Sequence, residues 1–173
     1  MRKIIVIFTL ALVLAVFSYA DNAMIGKMAP FFKVRSGDNR ELSLSDLRGK
    51  TIVLFYETKG TKEKNRNLKN ELNKFYDRQP EAIKKDIARV AVINCKGVIF
   101  TGAWKSALVE NSKKEGMAIY GDWTGEMAVA YKMKPNDSNL IIIDSKGVIR
   151  YYNSGQINDL NEIKDLLDTL TRR

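Results

Sequence analysis

The sequence predicts an α/β protein: a three-layer α/β/α sandwich with a mixed central sheet and an N-terminal β-hairpin. Three observations carry this. Residues 51–57 and 87–93 are nearly continuous apolar runs rich in β-branched side chains, as strands buried on both faces are. Between them Leu68, Leu72 and Phe75 recur at helical spacing amid Lys, Asn and Glu. Later, apolar residues 140–143 and 148–152 flank Asp144-Ser-Lys-Gly147, a hairpin turn with Gly147 free to take positive φ. A strand–helix–strand unit demands a parallel crossover and a hairpin an antiparallel pair, so the sheet is mixed.

The remaining elements follow in order. Residues 29–34 read as a first strand and 40–44 as its return, joined by a turn at Gly37-Asp38. Residues 45–49 read as one helical turn closed by Gly49. A helix is predicted over 61–77, with Thr61 as its N-cap, and Pro80 separates it from a short turn at 81–86. A second helix covers 103–113, a short strand 117–120 and a short helix 124–133. The last helix, 158–170, places Leu160, Ile163, Leu166, Leu167 and Leu170 on one face.

The first twenty residues read as a signal peptide. Arg2 and Lys3 precede an apolar run from Ile4 to Phe17, and Ser18-Tyr19-Ala20 supplies small residues for cleavage after Ala20. The run is short for a membrane span. Residues 21–173 then form one exported domain, periplasmic or beyond, with no stable membrane span after cleavage. An uncleaved N-terminal anchor is the alternative.

Composition removes several function classes. The 173-residue chain carries 29 Lys and Arg against 20 Asp and Glu, a formal charge of +9. This favours anionic partners in general. It does not point to nucleic acid, because the basic residues are dispersed and no arginine–aromatic patch accompanies them. With no histidine, imidazole acid–base catalysis is excluded. With one cysteine, Cys95, an intramolecular disulfide and Cys/His zinc sites are excluded. No metal and no cofactor is expected.

Two places are candidate sites. The basic corner after residue 57, comprising Lys59, Gly60, Thr61, Lys62 and Glu63, stands at a helix start and suits a small anion or an acidic partner group. The plainer reading is a solvated turn with Thr61 as an ordinary N-cap. Cys95 leaves the strand 87–93 at the end of the sheet where α/β ligands gather. It is either a buried small apolar residue or a lone reactive thiol. Trp104 and Trp123 are core anchors or recognition groups. The apolar loop 97–102 either folds inward or forms a contact patch.

The order of motifs resembles the thioredoxin-like fold of the peroxiredoxins and extracytoplasmic thiol reductases. The residues that carry it are Gly26-Lys-Met-Ala-Pro-Phe-Phe32, Leu42-Ser-Leu-Ser-Asp-Leu-Arg-Gly-Lys50, Ile52-Val-Leu-Phe-Tyr56, Leu140-Ile-Ile-Ile-Asp144 and Gly147-Val-Ile149. A closer resemblance, to the YtfJ-like exported proteins, rests on Thr61-Lys-Glu-Lys-Asn65, Val92-Ile-Asn94, Gly102 and Glu110-Asn-Ser-Lys-Lys114. That family implies export and a thioredoxin-like fold. The redox branch implies Cys-x-x-Cys after the buried strand, and here Gly60 and Glu63 occupy those places. The peroxidase version implies a cysteine in the same turn, and the turn has none. The redox families also imply a cis-proline before the strand at Leu140. Ser138 sits near that place, with Pro135 three residues earlier. The expectation is therefore a redox-inactive binding or accessory module for an unknown protein or small anionic ligand. A single-thiol redox protein using Cys95 is the alternative.

Overall fold

The computed structural model describes residues 23–172. The expected signal peptide and its cleavage site lie outside the described residues. Seven strands form one sheet: β1 (Lys33–Ser36), β2 (Glu41–Ser43), β3 (Thr51–Glu57), β4 (Ile87–Asn94), β5 (Ile119–Asp122), β6 (Asn139–Ile143) and β7 (Ile149–Ser154). Among the described residues five α-helices accompany them: α1 (Arg66–Arg78), α2 (Glu81–Lys84), α3 (Thr101–Glu115), α4 (Glu126–Ala130) and α5 (Leu160–Thr171). The spatial order is β2-β1-β5-β4-β3-β6-β7. The β3–β4 and β4–β5 pairs are parallel, and the others are antiparallel. This is the mixed sandwich with an N-terminal hairpin that the sequence predicts.

The period-two alternation of β3 decides how the layers divide. Ile52, Leu54 and Tyr56 face one core with Val90, Val92 and Ile141, sealed by Met127 and Tyr131 of and beside α4. Val53 and Phe55 face the other, against Leu68 and Leu72 of α1 and Ile163 and Leu167 of α5. All seven residues of β3 are buried, as expected for a strand covered twice. A third, separate cluster forms on this second side, around Cys95, Leu108 and Ile119, under α3.

The boundary that differs most bears on the site. The helix predicted from Thr61 begins instead at Arg66, with Asn65 at the N-cap position. Residues 59–65 form successive turns, with Thr61, Lys64 and Arg66 amides donating to Thr58, Thr61 and Glu63 carbonyls. Thr61 is therefore not an exposed cap. Its side chain is buried and is bonded within the corner. β1 and β5 also lie a few residues later than predicted, because strands of four residues carry little apolar pattern. Gly37, in the β1–β2 turn, lies directly on α3. A Cβ there would stand 2.1 Å from the Lys105 carbonyl oxygen.

Candidate functional site

The corner between β3 and α1 is built on a buried carboxylate. Glu57, the last residue of β3, is 4% exposed. Lys69, one helical turn into α1, donates to both its oxygens at 3.0 and 2.8 Å. The Ser138 hydroxyl donates to Glu57 Oε1 at 2.8 Å from the residue just before β6. Burial pushes the Glu57 carboxyl above its ordinary value, and the Lys69 ammonium and Ser138 hydroxyl pull against it.

Asn65 extends this network. Its amide donates to Ser138 Oγ at 3.0 Å and to the Gly155 carbonyl at 2.8 Å, and its oxygen accepts from the Ile157 amide at 3.0 Å. Thr61 Oγ1 accepts from the Thr58 amide at 2.8 Å and lies 3.2 Å from the Asp137 carbonyl. Lys64 Nζ closes on Asp137 Oδ1 at 2.6 Å. Burial raises the Asp137 carboxyl, but Lys64, the Ser138 amide and Lys134 together outweigh it and hold the group below the usual carboxylate range. No buried side-chain nitrogen or oxygen among the described residues lacks a hydrogen-bond partner. The polar atoms of this corner satisfy one another.

The candidate residues divide around this network. Lys59 and Gly60 are exposed, Lys62 is half-buried, and Glu63 is exposed and paired with Arg66. Thr61 points inward and shapes the turn from beneath. Lys59 makes no hydrogen bond or ion pair among the described residues.

Cys95 sits apart. It is 2% exposed, and its amide donates to the Asp122 carbonyl at 3.0 Å. Burial, and then the charge of Asp122, push its thiol up to about 12. Asp122 is itself buried and accepts from the Tyr56 hydroxyl at 3.0 Å and the Gly125 amide at 2.8 Å. Trp104 and Trp123 are half-buried against this cluster. In the loop before α3, Ile99 and Phe100 are 86% and 76% exposed, so this stretch turns outward.

Between α1 and α3, over β4, lies a trough of about 370 Å³. The sequence reading did not find it, nor the role of Glu57, Asn65 and Asp137. Glu57 carried a signal, as an acid ending an apolar strand. The trough carried none in any single segment.

The AhpC/TSA family model matches residues 25–152. The chain belongs to the AhpC/TSA family. Peroxiredoxin-2 of Mus musculus is 31% identical over 155 residues, covering 82% of this chain and 73% of that protein. Among solved structures, thiol peroxidase from Chromobacterium violaceum superposes with a TM-score of 0.61 at 14% identity, over 84% of this chain and 86% of that one. The pneumococcal exposed lipoprotein thioredoxin from Streptococcus pneumoniae gives 0.59 at 17% identity, over 82% and 100%. The fold is thus thioredoxin-like. Against the AhpC/TSA pattern, residues 58–65 hold no cysteine, and the residue before β6 is Ser138, bonded to Glu57.

Proposed function

We propose that this AhpC/TSA protein is an exported, redox-inactive binding or accessory module. Its ligand is a small anion or an acidic group of a partner protein, docking on the corner at Lys59, Gly60, Lys62 and Glu63. One observation carries the reading: the corner where thiol chemistry belongs is filled by the satisfied Glu57–Lys69–Ser138–Asn65 network. Thiolate chemistry needs a thiol held at low pKa, and the chain's one thiol, Cys95, is buried with its pKa raised. The residues Thr61 to Asn65 and Glu110 to Lys114 support a place in the YtfJ-like branch, and the apolar run before Ala20 supports export.

Peroxide consumption by the chain, with dithiothreitol as reductant, tests the first half. The expected rate is the background rate, unchanged in Cys95→Ser. Turnover that disappears in Cys95→Ser overturns it and establishes the second reading, a one-thiol peroxidase or sensor, which family membership favours. The second half predicts a higher Tm in phosphate than in an uncharged buffer of matched ionic strength. The gain shrinks in Lys59→Ala/Lys62→Ala. Equal melting in the two buffers rejects the anion site.

A further inference from the structure

We infer that the trough between α1 and α3 binds a single-chain amphiphile with a carboxylate head, the chemistry of a long-chain fatty acid. The inference shares Lys59 and Lys62 with the anion-binding reading and rests on it for the head group. What is new is the apolar floor and walls behind them.

The trough exists because the two hydrophobic clusters on this side of the sheet do not merge. Ala91 and Ile93 of β4 point into the gap and stay only half-buried. α1 offers Phe75 and Tyr76 from one wall, also half-buried. α3 faces them with Ala103 and Ala107, one turn apart, whose methyl groups are too short to fill the space. The result is an apolar slot open to water, which a folded domain ordinarily closes.

Charge says what enters it. Five cations and two carboxylates line the trough. Lys59, Lys62 and Arg66 gather where β3 gives way to α1. Arg66 already holds carboxylates: Glu63 through two N–H groups, and Glu115 at 3.7 Å. The Arg66–Glu115 pair joins α1 to α3 beside the slot. A ligand carboxylate can take the place of Glu115 while its chain lies on Phe55 and Ile93. The planar guanidinium fork matches a carboxylate, the group that Arg66 already pairs with in Glu63 and Glu115. At about 370 Å³ the slot is at the small end of ligand pockets, roughly 300–1,000 Å³. That fits one alkyl chain and not a two-chain lipid.

Calorimetric titration of the purified chain with dodecanoate, below its micellar concentration, is the experiment. Dodecyltrimethylammonium is the charge-reversed control. The expected result is saturable 1:1 binding of dodecanoate, with the cation at least tenfold weaker. Ala107→Phe fills the slot and weakens dodecanoate at least tenfold, while phosphate stabilisation stays intact. Ala103→Phe serves if Ala107→Phe lowers the Tm, and the comparison of head groups needs no variant. Several copies bound per chain, indifference to head-group sign, or affinity unchanged in both Phe variants overturns the inference. Phosphate stabilisation without dodecanoate binding removes the slot and leaves the corner. Dodecanoate binding without a phosphate effect keeps the slot and removes the corner as an independent anion site.

Discussion

Cys95 is the residue on which the choice between thiol chemistry and binding turns. Its burial and the neighbouring Asp122 charge oppose ionisation, so the folded chain resists iodoacetamide at pH 8, and the urea-unfolded chain labels at the rate of an ordinary thiol near ~8.5. Fast labelling of the folded chain at pH 8 contradicts this placement. Glu57 and Lys69 give a second residue-scale prediction. Lys69→Met leaves a buried carboxylate with one hydroxyl donor, and costs about 3 kcal/mol at pH 7. The loss shrinks as pH falls, because Glu57 can then take a proton. Adding Glu57→Gln recovers most of the stability, which a double-mutant cycle in urea measures. The sequence showed the acid at the end of β3. It did not show the partner, because Lys69 lies twelve residues on and the chain between changes from strand to turn to helix.

At the scale of elements, two connections set the site. Asn65 ties the start of α1 to the segment between β7 and α5 through Gly155 and Ile157. Asn65→Ala leaves a buried amide and carbonyl without partners, and lowers stability by about 1–3 kcal/mol. Gly37 sets α3 against the β1–β2 turn. Gly37→Ala places a methyl on the Lys105 backbone and costs about 1–3 kcal/mol. Gly60→Ala meets nothing closer than 4.0 Å and changes the urea midpoint little. The elements themselves were legible where burial is deep. β3 read correctly because both its faces are covered, and β4 because its apolar run is nearly continuous even where one face borders the trough. The start of α1 did not, because residues 59–65 carry helix-like composition but spend their polar groups on Asp137 and Thr58. The trough was invisible for another reason. α1 and α3 are separated by β4, and only the folded sheet sets their facing residues together.

For the molecule as a whole, acid stability follows from carboxylates held below their ordinary range. Asp144 is such a group. Burial raises it, but the Val148 and Lys146 amides and Arg150 outweigh that. Asp137 is another. A carboxyl lowered in the folded state stabilises above its unfolded value of ~3.9 and loses that contribution as pH falls through the folded value. The urea midpoint therefore drops below about pH 4, and Asp137→Asn/Asp144→Asn flattens the drop. Glu57, raised by burial, works in the opposite sense: its contribution falls as pH rises through its own window above ~4.3.

The order of the sheet has one more consequence. β5 lies between β4 and β1, so the excursion from the end of β4 through α3 to β5 supplies one wall of the slot and also the strand on which the N-terminal hairpin hangs. Relatives that lengthen or shorten this excursion change two things at once. They resize the slot, and they re-seat the hairpin on a new neighbour. Ligand choice in such a lineage would then evolve by exchange of one contiguous cassette, with the polar corner at β3 left untouched.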